Sequence, residues 1–330
     1  MKWENRVNAF IGNRYCLLAM SVVSVIASLL FFLFGIGGIV GGKGICSIVP
    51  QQFLPEGMLS WALGLLTVFF AAFLLGLLNK RHTFVREYTQ LHMSFFLFLT
   101  CTNPDFSGSF GMPVLSGAIV AIATLILFSG WQKGKQRSYV FSVSFVLSLC
   151  SIFDSSYLLY LAAFFLGFMQ MRLMSLKGFL AMLIGVFTPY WIGWGFGLFS
   201  ISDLSLPQYS FSLEKYMEVL SPADVARVAI SVAVGFSLGL SNAFRIMSYR
   251  LQLRAYNGFL TVLLITSVIF MVIDIANFHA YLMVLNACIS VQVAHFFSIR
   301  KFQRKYLVFL LISAAYLTCS VADILKALQQ

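Results

Sequence analysis

The chain has 330 residues, of which 60% are hydrophobic and 10% charged, with a mean hydropathy of +0.90. Soluble domains run at about 45–50% apolar and 25% charged, so a soluble fold is excluded, and the length accommodates roughly ten membrane crossings at about 20 residues each. The net charge of +11 would point to nucleic acid only if the basic residues shared a soluble face; they sit beside apolar spans, so the expected partner is the lipid headgroup layer, with no nucleic acid.

In chain order, Lys2, Arg6 and Arg14 precede the apolar run Leu17 to Phe34. This start imitates a signal peptide, but the run is too long and no small-x-small cleavage site follows, so an uncleaved first helix is expected. A glycine-rich loop, Gly35 to Gly57, comes next. Its stretch Gly37 to Gly44 approximates the phosphate-loop pattern G-x-x-x-x-G-K-[ST]. The last position is glycine where a magnesium-binding hydroxyl belongs, and no strand precedes it, so it reads as a flexible loop.

Apolar runs are centred near Ile26, Thr67, Phe96, Ala121, Val146, Phe164, Gly185, Ala233, Leu264, Leu285 and Ile312, which predicts eleven helices. The fifth and sixth are short, with 16 residues between Arg137 and Asp154 and 17 between Asp154 and Arg172. Each reaches roughly 25 Å against a hydrocarbon core of about 30 Å. The turn Ser151 to Ser156 is therefore expected below the headgroups, where the Asp154 carboxylate needs a partner or a water-filled pocket.

Pro189 is expected to kink or divide the seventh helix, because its ring removes a backbone donor. Gly193 with Gly197, and the series Ser231, Gly235 and Gly239, are expected to mark close helix contacts. Between helices seven and eight, Ser200 to Ser221 carries Leu213, Tyr216, Met217 and Leu220 at helical spacing. Two forms fit that segment: a short helix on the membrane surface, or a loop packed on the bundle.

Eighteen of the 22 lysines and arginines fall into alternate gaps between the apolar runs, leaving only Lys43, Lys215, Arg227 and Lys326 on the other side. Basic loops stay in the cytoplasm, so the N-terminus is expected inside and the C-terminus outside. Most acids fall on the outer side, and Trp3, Trp61, Trp131, Trp191 and Trp194 lie near predicted helix ends, where indole rings favour the headgroup layer. The expected architecture is an all-α polytopic bundle of about eleven transmembrane helices, residues 1–330 forming one membrane domain.

The chemistry is less legible. Six scattered cysteines contain no C-x-x-C pair, and four of them (Cys46, Cys101, Cys150, Cys319) come out on the outer side, where a disulfide is chemically permitted. His82, His92, His279 and His295 are dispersed, without an H-E-x-x-H helix, and no G-x-S-G signature is present; no metal site, cofactor or intramembrane protease is expected. No charged residue falls at a predicted helix centre. His92, Asn286 and Gln292 are the polar exceptions, and interhelical hydrogen bonds are the expected role of each.

What remains is the outer rim, where Asp105, Asp154, Asp224, Arg227, Asp274 and His279 lie at helix ends. Arg227 opposes the charge bias and begins a helix, a place suited to phosphate. Asp154 and Asp274 are the candidate catalytic groups, either able to act as a general base on a sugar hydroxyl; Arg227, Asp105 and His279 are the candidate substrate-binding residues. If these form one site, Asp154, Arg227 and Asp274 should line a shared cavity within about 10 Å of one another. The competing reading is structural: Asp224 and Arg227 as an i, i+3 ion pair, the other aspartates as caps.

The segment Ser151-Ile-Phe-Asp154-Ser-Ser, the apolar hairpin ending at Arg172, and Gly185-Val-Phe-Thr-Pro189-Tyr190 resemble an uncharacterised family of bacterial polytopic inner-membrane proteins. The likeness covers about 40 residues. It implies a multi-pass protein of the bacterial inner membrane and assigns no activity. The leading expectation is a role in envelope assembly, handling a lipid-linked glycan or a lipid phosphate at the outer leaflet, with membrane lipid and other membrane proteins as partners. A transporter, a channel or a non-catalytic scaffold subunit is the alternative, and whether the protein is an enzyme stays open at this point.

Overall fold

The computed structural model describes residues 2–37, 44–45, 55–85, 90–131, 136–204, 207, 220–246, 248–298 and 305–329. Among these the regular structure is helical: α1 Lys2–Ile11, α2 Arg14–Leu33, α3 Gly57–His82, α4 Leu91–Cys101, α5 Pro104–Ser107, α6 Met112–Ser129, α7 Gln136–Ser151, α8 Ser156–Gln170, α9 Leu176–Gly195, α10 Pro222–Ile246, α11 Leu251–Ile273, α12 Phe278–Phe297 and α13 Lys305–Leu328. Two 3-10 turns, Ile201–Asp203 and Ile275–Asn277, complete the described elements.

Eight helices are long and apolar enough to cross a membrane: α2, α3, α6, α9, α10, α11, α12 and α13. Every one of the eleven predicted centres lies inside a helix, but α4, α7 and α8 have only 11, 16 and 15 residues, short of the roughly 20 that a full crossing uses. The short α1, with Lys2, Glu4, Asn5 and Arg6 in its ten residues, is polar along its first turns and gave no apolar signal.

The bundle is built around α12. Of the most apolar 18-residue stretch within Ile275–Phe297, 94% is buried inside the protein, against 22% for that of α9 and 28% for those of α2 and α13. The central helix packs on α4, α6, α10 and α11, whereas Phe187, Trp191 and Phe196 project from the periphery. Apolar side chains of that size on an outer surface are costly in water and suit a lipid surround. Trp61 opens α3, Trp131 follows α6, and Trp191 and Trp194 lie in the last turns of α9, as the headgroup preference of indoles requires.

Helix termination follows from local sequence. Gly35 and Gly197 have φ of +63° and +68°, the left-handed conformation in which glycine carries no Cβ penalty, and the next amides, of Ile36 and Leu198, bond back to Phe31 and Gly193 carbonyls. Gly197 therefore closes α9 and makes no helix contact, since a Cβ there would meet nothing within 4 Å. Gly239 is likewise open, while a Cβ on Gly235 would lie 3.1 Å from Ile289 and one on Gly193 2.4 Å from the Phe199 ring. The expected small-residue helix contacts thus hold at Ser231 and Gly235, whereas Gly193 meets only Phe199 just beyond its own helix and Gly197 and Gly239 meet no neighbour among the described residues. Helix α9 runs through Pro189 without division.

One close backbone approach between helices was not expected. A Cβ on Gly185 would stand 2.7 Å from the Phe141 carbonyl oxygen, where α7 and α9 make the most extensive pairing in the bundle. Among the described residues, Cys16, Cys101, Cys150, Cys288 and Cys319 are free thiols; Cys46 lies outside them. So do most of the Gly37 to Gly44 stretch and residues 208–219, which include Leu213, Tyr216 and Met217.

The chain reversals gather at two ends. At one, the Ser28 hydroxyl donates to the Ser107 carbonyl, Phe110 N–H to Ser60, the Ser320 hydroxyl to the Thr102 carbonyl and Ile45 N–H to the Ser151 carbonyl. At the other, Asn79 clamps Val85 through two hydrogen bonds of 2.8 and 3.2 Å, which holds Thr83 left-handed at φ +45°, and the Tyr256 hydroxyl donates to the Phe128 carbonyl. The first end carries the rim aspartates; the second carries Lys80, Arg81, Arg137, Arg172, Lys177, Arg250 and Arg254.

Candidate functional site

The acidic end holds a cavity of about 350 Å³ between the end of α2, α5, the start of α10 and the end of α13. Its polar lining consists of Asp105, Ser221, Asp224, Arg227, Asp323 and Lys326. Arg227 is 1% exposed. Its Nη1 donates to the Asp224 Oδ1 at 3.1 Å, and its Nη2 donates to the Asp323 carboxylate. The i, i+3 pairing of Asp224 with Arg227 is as expected, and Asp323 adds a second carboxylate from the opposite wall. Arg227 Nε is buried with no acceptor among the described residues, one of three guanidinium N–H donors that the two ion pairs leave unused.

Asp224 is fixed in turn. The Ser221 hydroxyl and amide donate to its Oδ2 at 2.6 and 3.2 Å, while Asp224 N–H donates to the Ser221 hydroxyl at 3.2 Å. This reciprocal capping box pins the carboxylate at the start of α10, where the helix dipole favours negative charge. The S-x-x-D signature of Ser221 to Asp224 was present in the sequence. Asp323 and Lys326 could be recognised there only as ionisable groups near the end of an apolar run.

Asp105 enters the cavity from α5. Asn103 caps this turn by accepting the Asp105 amide at 3.1 Å, and Pro104 occupies the first helical position, where its missing donor costs nothing. The Asp105 Oδ2 lies 3.0 Å from the His279 Nε2. His279, at the start of α12, is flanked by the Phe278 ring at 3.8 Å and the Phe106 ring at 6.1 Å, the latter edge-on. Two candidate binding residues, 174 positions apart, thereby form a carboxylate–imidazole dyad, of which Asp105 lines the cavity and His279 stands behind it.

Asp154 and Asp274 are placed elsewhere; neither lines the cavity that holds Arg227. Asp154 is wholly buried, its Oδ1 accepting the Ser156 amide at 2.9 Å and its Oδ2 without a partner among the described residues. Burial raises its pKa above the ordinary 3.8, Asp274 adds to the rise, and the Ser156 hydrogen bonds oppose it. Asp274 Oδ2 accepts the Tyr281 hydroxyl and the Asn277 side-chain amide, both at 2.8 Å, and the same Asn277 amide donates to the Ser155 hydroxyl at 3.1 Å. These contacts join the α7–α8 turn to the α11–α12 turn. Gly44 lies over that turn, close enough that a Cβ would meet the Ile152 carbonyl at 2.2 Å.

The expected polar exceptions are interhelical. Asn242 donates to the Gln292 side chain at 2.8 Å, Ser231 to Asn286 at 3.4 Å, and His92 bonds the Leu75 carbonyl at 3.2 Å. Ser231 also meets the Tyr316 hydroxyl, and His295 lies 2.6 Å from Asn257. Among the described residues, no group of three or more His, Cys, Asp or Glu has the geometry to hold a metal ion. No family model, curated protein or solved structure matches this chain.

Proposed function

We propose that the protein is a multi-pass inner-membrane protein of bacteria, with eleven crossings, N-terminus in and C-terminus out, that handles a lipid-linked glycan at the outer leaflet during envelope assembly. The observation that carries this reading is the Asp105–His279 dyad, 3.0 Å apart, whose Asp105 lines a cavity that also presents Arg227 and Lys326. In the dyad, His279 Nε2–H donates to Asp105, which leaves the Nδ1 lone pair to take a proton from a sugar hydroxyl. The Arg227 Nε–H and the Lys326 ammonium serve a phosphate linker.

Charge favours one of the two headgroup classes. Among the described residues, the lining sets the three carboxylates of Asp105, Asp224 and Asp323 against the two cations of Arg227 and Lys326. Such a wall suits hydroxyl donors better than a bare, multiply charged phosphate. A lipid phosphate alone is therefore the poorer fit. The experiment is extraction of lipid-linked sugars from cells lacking the gene: accumulation of one species, reversed by the wild-type gene, is expected, and an unchanged profile contradicts the reading.

A transporter is favoured by the polar side chains along α12, but each named group finds a partner in a neighbouring helix. The space described beside that helix, among Leu75, Val120, Leu263 and Cys288, is apolar and about 20 Å³, the size of one water. That geometry suits helix cohesion.

A further inference from the structure

The basic end carries a larger cavity than the acidic one, about 520 Å³, between the end of α3, the end of α6, the start of α7 and the start of α11. Its lining differs in kind. Arg81 and His82 enter from α3, Trp131 and Tyr139 flank the α6–α7 connection, and Gln252 and Tyr256 come from α11, with no carboxylate lining it among the described residues. Leu125, Ile126 and Phe128 continue the wall along α6.

The aromatic part is rigid. Tyr256 stacks on Phe128 with ring centroids 4.2 Å apart and meets Trp131 edge-on at 6.2 Å, while the His82 ring stands 5.2 Å from Tyr256. The Tyr256 hydroxyl donates to the Phe128 carbonyl at 3.0 Å and accepts the Gln252 side-chain amide at 2.7 Å. With these bonds made, the tyrosine is fixed as a wall. The exposed Arg81 guanidinium supplies positive charge at the mouth.

We infer that this cavity binds the phosphate headgroup of an anionic phospholipid from the leaflet at the basic end, the first carbons of its acyl chains lying along Leu125 and Ile126. Three features select this ligand. The Arg81 guanidinium at the mouth, with no carboxylate lining the cavity among the described residues, favours an anion. A volume within the range of about 300–1,000 Å³ typical of organic-ligand pockets exceeds what one inorganic phosphate fills. The lining grades from Arg81 to apolar side chains beside an indole, as the passage from headgroup to hydrocarbon does.

The test uses the full-length protein in nanodiscs containing equal amounts of phosphatidylglycerol and phosphatidylcholine, with retained lipid measured by native mass spectrometry after extraction. Preferential retention of phosphatidylglycerol is expected. Arg81→Ala should reduce that preference about fivefold, the equivalent of about 1 kcal/mol for one cation near a lipid surface. Gln252→Glu, which sets a carboxylate at the same mouth from a different helix, should reduce it as well. Equal retention of the two lipids, or an unchanged preference in both variants with wild-type thermal unfolding, overturns the inference. So does displacement of the retained lipid by millimolar inorganic phosphate, which would make the ligand a soluble anion.

Discussion

Arg227 and Asp323, 96 positions apart in the chain, form an ion pair that ties the start of α10 to the C-terminal part of α13. Asp224 completes a triad in which one buried cation faces two carboxylates. Removing one partner from a buried pair leaves an uncompensated charge, at a cost of about 3–5 kcal/mol. Arg227→Ala, which strands both aspartates, should lower stability by an amount in that range. Asp323→Asn should cost less, because Asp224 still pairs the guanidinium. Thermal unfolding of the two variants in detergent compares them, and an Arg227→Ala protein as stable as wild type contradicts the triad.

Asp154 gives a pH-dependent effect of defined sign. Its folded pKa is raised above 3.8 by burial and by Asp274, so the stability it contributes is fully present below 3.8 and is lost as pH rises through the folded value. Asp154→Asn keeps the acceptor for the Ser156 amide and removes the titration. The variant should unfold at a higher temperature than wild type at pH 7.5, with the difference shrinking toward pH 4. A variant destabilised more at pH 7.5 than at pH 4 would show that the ionised carboxylate is the favoured form.

Two glycines in apolar helices should respond in opposite ways. A methyl group at Gly185 meets the Phe141 carbonyl at 2.7 Å, a backbone atom held within α7, whereas Gly239 faces open space. Gly185→Ala is expected to destabilise by about 1–3 kcal/mol as an overpacking change. Gly239→Ala should be neutral or slightly stabilising, since alanine is the better helix former. Denaturation of the paired variants tests this directly, and equal effects would remove Gly185 as the α7–α9 contact.

The proposed orientation is read by reporter fusion. Alkaline phosphatase joined after Leu328 should be active in the periplasm, and the same enzyme joined in the basic 299–304 segment should be inactive. Activity in the reverse order would invert the topology and, with it, the leaflet assigned to each cavity.

The helical architecture was legible because apolar runs of about 20 residues have few solutions in lipid: each of Ile26, Thr67, Phe96 and the later predicted centres lies in a helix. Where length was marginal, at α4, α7 and α8, composition could not say whether a helix crosses fully. The candidate site was half legible. Charge asymmetry drew attention to Arg227, and its position relative to Asp224 suggested their pairing. Asp323 and the Asp105–His279 dyad depend on which helices meet, information carried by packing between spans and not by any local spacing. Asp154 and Asp274 were drawn to the same rim correctly, yet their side chains turn into the contact between two hairpins. Gly197 shows the converse error: a G-x-x-x-G spacing was read as packing where the left-handed backbone of a helix end was the cause.

The functional account rests on the dyad, and its most direct measurement is complementation of cells lacking the gene by His279→Ala and by Asp105→Asn, with lipid-linked sugars as the readout. Neither residue belongs to the buried triad, so both proteins should accumulate in the membrane at wild-type levels with near-wild-type thermal unfolding. The account predicts that each reproduces the lipid-linked sugar profile of the deletion. Full restoration of the wild-type profile by both would contradict it.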